Sequence, residues 1–295
     1  MNTSSEDSGP TPRPELRPDP VFIIGMHRSG TSAVSGALEK LGLSVGKTVM
    51  PPHAENPKGY FENLALTLVH DHFLNDCKYA WLDARPVRAK YFRGRRARRY
   101  QKQLLETVIQ EFGSARPLVK DPRLCAILPL WRPLIKRHFP QASFVLPIRS
   151  PLEVASSLRQ RDNMTLSHGL ALWAVHVLEG ERATRGLTRA FTTYEELLQT
   201  PYETMEKLAR QLHLPTENIA AALDQRIDPK LRHHAEIPWP ETEPDREIIT
   251  AVHQTLSTHG PGMELALDRL RRQYYLQKQF PGARMEALWA RLTGA

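Results

Sequence analysis

The sequence lacks most of the features that define the specialised structural classes. Its 295 residues include two cysteines, Cys77 and Cys125, which cannot build a disulfide scaffold and belong to no metal-ligand cluster. No uninterrupted apolar run approaches the ~20 residues that a transmembrane helix needs. The N-terminal segment has no apolar core of the kind found in secretory signals. These absences predict a protein of a reducing compartment, most simply the cytoplasm, with no metal site.

The main compositional signal is an excess of positive charge. Lys and Arg number 40 against 32 Asp and Glu, which gives a formal net charge of +8. Such a balance favours anionic partners, which include nucleotides, phosphates, acidic glycans, nucleic acid and lipid surfaces. Apolar residues make up 41% of the chain, an ordinary value for a globular protein with a sizeable core.

The pattern along the chain predicts three regions. Residues 1–20 hold five prolines and few apolar side chains, which predicts a disordered tail. Residues 21–262 alternate short apolar runs with helical patterns, and residues 263–295 are expected to form a helical extension packed on that domain. Alternating strands and helices predict an α/β domain with a parallel sheet flanked by helices. Ligands of such sheets bind at the carboxyl ends of the strands.

Three stretches are expected to be irregular. Residues 86–100 are dominated by basic side chains and predict an irregular insert. A helix over residues 124–139 is expected to be interrupted at Pro129 and Pro133, because proline lacks the N–H that an interior helical position needs. Residues 228–262 contain five prolines and are expected to be rich in loops.

A glycine loop joins the first predicted strand to the first predicted helix. Residues 25–32 read GMHRSGTS, and the glycines are spaced as in the phosphate-binding GxxxxGK loop. Backbone amides in such a loop, with the helix N-terminus behind them, attract an anion. The usual lysine position holds a threonine, so the strong cation of the loop is an arginine. The candidate ligand-binding residues are Arg28, Ser29, Gly30, Thr31 and Ser32. The alternative is an ordinary turn capped by Ser29.

The strand followed by HRSGTS resembles the 5′-phosphosulfate-binding loop of sulfotransferases, which use 3′-phosphoadenosine-5′-phosphosulfate. Arg28 matches the cation that this family places before Ser-Gly-Thr. The resemblance implies a sheet like that of P-loop NTPases, with flanking helices, and an enzyme that transfers a sulfonate group. It also implies that no metal is required, since the donor has no β,γ-phosphate bridge for magnesium to clamp.

Three further segments resemble elements of the same family. Arg149, just past a predicted strand, and Ser157, eight residues later, are similar to the element that binds the 3′-phosphate. Lys120, in the segment VKDPR, is similar to the lysine that contacts the transferring sulfonate in tyrosylprotein sulfotransferases. Tyr194, in the segment YEELL, is similar to a tyrosine near the donor nucleotide. Each segment also has a simpler alternative. Arg149 and Ser157 would be a solvated arginine and an ordinary helical serine. Lys120 would form an ion pair with Asp121 or with a neighbouring helix, and Tyr194 would be an aromatic residue at the edge of the core.

Sulfonate transfer needs a base that takes the proton of the acceptor. Glu62 lies between a loop and a helix, where membrane-associated members of the family carry a catalytic glutamate. His53 is the rival, because other branches of the family use histidine. The alternative for Glu62 is a carboxylate at a helix N-terminus, which the helix dipole favours. His27, inside the glycine loop, is assigned a structural role.

The acceptor and the competing functions stay open at this stage. Residues 88–99 contain seven Lys or Arg in twelve positions, suited to an acidic acceptor, a peripheral membrane contact, nucleic acid or plain solvent exposure. The leading hypothesis is sulfonate transfer to a hydroxyl or amine of a carbohydrate, lipid or small molecule. One alternative is a nucleotide-dependent kinase of P-loop architecture, against which Thr31 argues. The other is a nucleic-acid-binding protein, which no aromatic-rich strand or finger motif supports.

Overall fold

A parallel four-stranded sheet forms the centre of the protein. The computed structural model describes residues 18–53, 59–224 and 237–280. The strands are β1 (Val21–Ile23), β2 (Leu118–Lys120), β3 (Ser143–Ile148) and β4 (Thr188–Thr193). Their order across the sheet is β2-β1-β3-β4, and every neighbouring pair is parallel. The predicted α/β architecture is confirmed.

Helices cover both faces of the sheet. Along β1, Phe22 packs into one apolar cluster, whereas Val21 and Ile23 pack into another on the opposite face. Alternate side chains of a strand point to opposite faces, so a strand that is buried on both must be apolar throughout. The helices near the sheet are α1 (Thr31–Lys40), α2 (Leu64–Asp76), α3 (Gly94–Phe112), α4 (Leu124–His138), α5 (Pro151–Asp162) and α6 (Leu166–Thr184).

The remaining helices follow β4. They are α7 (Tyr194–Gln199), α8 (Pro201–Gln211), α9 (Ile219–Asp224), α10 (Arg246–Thr258) and α11 (Met263–Gln277). The last of these packs on α10 and α6. Across the described ranges, no helix has both the length and the apolar character needed to cross a membrane.

The boundaries of the predicted tail and extension fall partly outside the described residues. Residues 1–17 and 281–295 are not described. Residues 18–20 are attached to the domain, since the Pro20 carbonyl accepts a hydrogen bond from the Ser143 amide at 3.1 Å. The Asp19 carboxylate accepts another from the Gln141 amide at 2.9 Å. The domain therefore includes residues 18–20, which precede the first strand.

The basic stretch 86–100 is largely helical, so the expectation of an irregular insert was wrong. A short 3-10 helix, Ala89–Phe92, leads into α3 at Gly94. Ala97, Tyr100 and Leu104 recur at helical spacing and are buried. The many arginines between them hid this narrow apolar stripe, although arginine itself is a good helix former.

The predicted interruption of α4 at Pro129 and Pro133 is also wrong, because the helix continues through both. The two prolines are four residues apart, with Pro129 half-buried and Pro133 exposed, and each removes one hydrogen bond within the helix. The same helix buries Leu130, Trp131 and Leu134. This tertiary packing outweighs the local cost of the prolines.

The region 228–262 is less loop-rich than its prolines predict. Residues 225–236 lie outside the described chain, but α10 occupies a large part of the remainder. Its buried Ile248, Ile249, Val252 and Leu256 follow a helical period and pack against the domain. The prolines flank this helix instead of interrupting it.

Candidate active site

A cavity of about 280 Å³ lies at the carboxyl edge of the sheet. Each strand supplies a lining side chain at or just beyond its last residue: Arg28 after β1, Lys120 at the end of β2, Arg149 after β3 and Tyr194 after β4. This is the edge where ligands of parallel α/β sheets bind. The structure therefore brings together four residues that the sequence singled out separately.

The glycine loop presents an open helix N-terminus to this cavity. Gly30 is the N-cap of α1, has a φ of +83° and makes no side-chain capping bond, so the predicted alternative of a cap by Ser29 is wrong. Gly30, Thr31 and Ser32 line the cavity. The first N–H groups of a helix lack intrahelical partners and favour an anion. The buried Ser29 hydroxyl has no hydrogen-bond partner among the described residues.

Tyr194 connects the glycine loop to Arg149. A Cβ atom added to Gly30 would lie 2.7 Å from Cδ2 of Tyr194, so the ring requires glycine at this position. The Arg149 guanidinium carbon lies 4.1 Å from the centroid of the same ring. The first turn of α7 holds Tyr194 in place, because Thr193 and Glu196 form a capping box there.

Arg28, Arg149 and Ser157 lie close together, linked through hydrogen bonds to the glycine loop and to α5. Sequence reasoning placed Arg149 and Ser157 on one phosphate. In the structure, Arg28 Nε donates to Ser157 Oγ at 2.8 Å. Arg149 Nε donates to Glu153 at 2.7 Å, and Arg149 Nη1 donates to the Arg28 carbonyl at 2.8 Å. Ser157 does not itself line the cavity. Arg28 adopts a φ of +67°, which local sequence does not reveal.

A buried ion pair joins Glu62 to Lys120. Lys120 Nζ donates to Glu62 Oε1 at 2.6 Å, and the side chains of Lys120 and Glu62 are only 4% and 5% exposed. The alternative pair between Lys120 and Asp121 is absent from the described contacts. Glu62 also precedes the N-cap of α2, Asn63, so it is not a first-turn carboxylate. Burial raises the pKa of Glu62, and the positive charge of Lys120 opposes that rise.

A second polar network lies behind Lys120. Asp121 accepts hydrogen bonds from His70 Nδ1 at 2.8 Å and from Arg123 Nη1 at 3.0 Å. The Trp131 indole N–H donates to His70 Nε2 at 3.0 Å, which assigns the His70 proton to Nδ1. Asp71 accepts two further bonds from Arg123, at 2.5 and 3.0 Å. Two carboxylates thus hold the guanidinium of Arg123 in one orientation.

Arg123 is a cavity residue that sequence reasoning did not assign. It lines the cavity, and its Nη1 lies 4.0 Å from Glu62 Oε2. Burial alone would raise the pKa of Asp121, but Arg123 and the His70 hydrogen bond outweigh burial and hold that pKa well below its usual range. The segment VKDPR contained Arg123 and Asp121, yet only the fold brings α2 and its His70 beside them.

The two candidate histidines have opposite locations. His53 is exposed and is not among the cavity residues, so the structure does not bring it to Glu62. His27 lines the cavity, and its ring centroid lies 4.7 Å from that of Trp81. Burial, with the charges of Arg161, Lys120 and Arg123, lowers the pKa of His27 well below its ordinary value. His27 is therefore neutral near pH 7.

The chemistry of the cavity follows from its charges. Its lining includes five fixed cations and one carboxylate, Glu62; the cations are Arg28, Lys120, Arg123, Arg149 and Arg161. No group of three or more His, Cys, Asp or Glu side chains in the described ranges is arranged to hold a metal ion. The arrangement can hold a ligand with more than one anionic group, and Glu62 can accept a proton beside it.

The chain is similar to known sulfotransferases in both sequence and fold. A family model described as "Sulfotransferase family" matches residues 20–218. No curated protein sequence matches the chain. The chain is similar to the solved structure of sulfotransferase STF1 from Mycobacterium tuberculosis H37Rv, at 16% identity over 72% of each chain with a TM-score of 0.47. It is also similar to the sulfotransferase domain of the Synechococcus PCC 7002 olefin synthase, at 16% identity over 88% of this chain and 96% of that domain with a TM-score of 0.45.

Proposed function

The chain belongs to the sulfotransferase family, and from this premise we propose that it transfers a sulfonate group from 3′-phosphoadenosine-5′-phosphosulfate to a hydroxyl or amine of a carbohydrate, lipid or small-molecule acceptor. Membership of the family decides against the kinase alternative and against a protein that only binds nucleic acid. The observation that carries the proposal is the cavity in which the glycine loop, Lys120 and Arg149 surround one carboxylate that can accept a proton, Glu62.

The cavity residues fit a donor that has two anionic ends. The open N-terminus of α1 and Arg28 would hold the phosphosulfate, since both present N–H groups to the cavity. Arg149, supported on Tyr194, would receive the 3′-phosphate. The bound donor would supply a sulfonate group on a phosphate leaving group.

Lys120 and Glu62 would divide the chemistry between them. Lys120 stabilises negative charge on the departing phosphate, and Glu62 accepts the proton of the acceptor. In the ion pair the ammonium group opposes the rise in pKa that burial gives Glu62, and so limits its strength as a base. Any anion that draws Lys120 away removes this influence, so Glu62 becomes a stronger base when the cavity is filled.

We expect adenosine 3′,5′-bisphosphate to raise the Tm of the protein, and ATP with magnesium to raise it much less. A ligand that binds only the folded state stabilises that state, and ATP offers no 3′-phosphate to Arg149. Differential scanning fluorimetry at matched ligand concentrations measures both. A larger shift with magnesium-ATP would contradict the proposed donor.

Transfer itself is tested by mass spectrometry. The protein is incubated with the sulfonate donor and with fractionated acceptors, namely oligosaccharides, lipid extracts and small hydroxylated metabolites. The expected product gains the mass of one SO₃ group. Donor binding without transfer to any hydroxyl or amine would leave the fold assignment in place but contradict the proposed reaction.

The basic helix α3 offers a test for an anionic acceptor. Arg95 and Arg98 are exposed on the face opposite the buried stripe, and neither has a carboxylate partner among the described residues. If they attract an anionic acceptor, the double variant Arg95→Gln/Arg98→Gln should raise the acceptor KM severalfold and weaken its dependence on salt. Donor affinity should not change.

The matched control removes two exposed cations elsewhere. Lys136 and Arg137 lie near the end of α4, and their double replacement by Gln changes the net charge by the same amount. Equal effects of the two double variants on the acceptor KM would show that total charge matters and that α3 does not contact the acceptor. No effect of either would leave α3 as a solvated surface.

A further inference from the structure

Two hydrogen bonds and an aromatic ring hold the side chain of Arg149. Its Nε–H donates to Glu153 Oε2 at 2.7 Å, and its Nη1 donates to the Arg28 carbonyl at 2.8 Å. Its guanidinium lies over the Tyr194 ring. The backbone is fixed as well, because the Trp173 indole N–H donates to the Arg149 carbonyl at 3.1 Å. Such a side chain has one orientation before any ligand arrives.

Glu153 is well placed to set that orientation. It is the third residue of α5, after Pro151 at the first position, and a carboxylate there is favoured by the helix dipole. Its side chain is 16% exposed and that of Arg149 is 13% exposed, so the pair is largely withdrawn from solvent. Arginine carries five N–H donors. Glu153 and the Arg28 carbonyl accept from two of them. Because the Arg149 guanidinium lines the cavity, its other N–H groups can donate to a bound anion.

The bond to Arg28 ties this arrangement to the glycine loop. Arg28 has a φ of +67°, a conformation that residues with a Cβ atom rarely adopt. A buried partner on the Arg28 carbonyl favours that conformation, because another backbone shape would move the carbonyl away from Arg149. One guanidinium therefore contacts both the loop backbone and the cavity.

We infer that Glu153 is a positioning residue, which orients Arg149 so that the same guanidinium supports the glycine loop and binds the second phosphate of the donor. This inference rests on the proposed function. The competing explanation is that Glu153 is only a counter-charge that an anionic ligand must overcome. The two explanations predict opposite changes in the affinity for an anion. Loss of an orienting carboxylate weakens anion binding, whereas loss of a competing carboxylate strengthens it.

The experiment compares two nucleotides in three proteins. Titration calorimetry gives the Kd of adenosine 3′,5′-bisphosphate and of adenosine 5′-monophosphate for the wild type, Glu153→Met and Glu153→Gln. Methionine has a similar length but no oxygen, and we expect it to lower the preference for the bisphosphate about tenfold, the effect of one hydrogen bond to a charged group. Glutamine keeps an oxygen for Arg149 Nε and should restore the preference despite the lost charge.

A matched control is available on another helix. Glu203 occupies the same third position of α8, after Pro201, and is exposed. Glu203→Met should leave both Kd values unchanged. If Glu153→Met does not fold, Glu153→Asp serves instead, because it keeps the charge but withdraws the oxygen by one methylene. If Glu153 positions Arg149, this variant should prefer the bisphosphate over the monophosphate less strongly than the wild type does. If Glu153 is only a counter-charge, that preference should not decrease.

The outcomes separate the inference from its premise. Variants at Glu153 that bind the bisphosphate as tightly as the wild type, or more tightly, overturn the positioning role while the donor assignment stands. A wild type that does not prefer the bisphosphate over the monophosphate overturns the assignment of Arg149 to a second phosphate, and the positioning role fails with it.

Discussion

Glu62→Gln is expected to reduce turnover by about 10²–10⁴-fold, with little change in the affinity for adenosine 3′,5′-bisphosphate. Glutamine nearly preserves the shape of Glu62 and can still accept the hydrogen bond that Lys120 donates at 2.6 Å. It cannot accept a proton at neutral pH. Steady-state kinetics and calorimetry on the same preparation separate the lost chemistry from lost binding.

The pH dependence gives this prediction a second readout. Burial raises the pKa of Glu62 above its ordinary value. A base works in its deprotonated form, so wild-type kcat/KM, which reports groups of the free enzyme, should fall as the pH decreases through this raised pKa. The acid limb should thus lie at a higher pH than for an ordinary glutamate, and it should be missing from the residual activity of Glu62→Gln.

His53→Gln is the parallel variant, and it should retain wild-type turnover because His53 is exposed and outside the cavity. A slow His53→Gln enzyme together with an active Glu62→Gln enzyme would transfer the role of base to His53. A Glu62→Gln protein that fails to fold or to bind the bisphosphate would make Glu62 a structural residue, and the proposed mechanism would then have no base.

Asp121→Asn is expected to lower the free energy of unfolding by about 3–5 kcal/mol, the usual cost of removing one partner from a buried ion pair. Asp121 is 1% exposed and accepts bonds from both His70 and Arg123. Asparagine keeps the shape but leaves the Arg123 guanidinium with less negative charge around it. Denaturation by urea at pH 7, monitored by circular dichroism, measures the loss.

The pH dependence of this stability loss distinguishes an ion pair from a packing contact. The pKa of Asp121 is lower in the folded state than in the unfolded chain, where it is about 3.9. Its stabilisation is therefore complete above the unfolded value and is lost as the pH falls toward the folded one. The difference between wild type and Asp121→Asn should be constant near neutrality and shrink below about pH 4.

Asp76→Asn supplies the control, because Asp76 pairs with Arg99 at the surface and its side chain is 43% exposed. Water and salt screen such a pair, so we expect only a small fraction of the loss seen for Asp121→Asn. Equal losses in the two variants, or a difference that persists unchanged at low pH, would show that the buried network is not electrostatic in origin.

The parts of the fold that the sequence predicted are those encoded by local patterns. β1, the glycine loop and α1 form one continuous segment, so their periodicity and glycine spacing located them together. Lys120 is the last residue of β2 and Arg149 directly follows β3, and parallel strands bring their carboxyl ends to one edge. These residues were predictable because strand, turn and helix signals act over a few positions.

The remaining parts depend on how distant segments pack. The bond from Arg28 to Ser157 joins residues 129 positions apart, and the bond from His70 to Asp121 joins residues 51 apart. No local signal states which helix faces which strand. Composition was misleading where one residue type dominated: the prolines concealed α10, and the arginines concealed the start of α3.

The order of the strands has a consequence for the time course of folding. β1 lies inside the sheet, yet Val21 pairs with Leu118 and Ser143, which are 97 and 122 residues further along the chain. A ribosome that adds about 5–20 residues per second needs roughly 6–24 s to produce the more distant partner. The apolar VFII segment has no strand to pair with until β2 is made, and it lacks β3 for the whole interval. Contacts of such long range also close slowly. Nascent chains should therefore be most prone to aggregation, and most dependent on chaperones, until β3 has emerged.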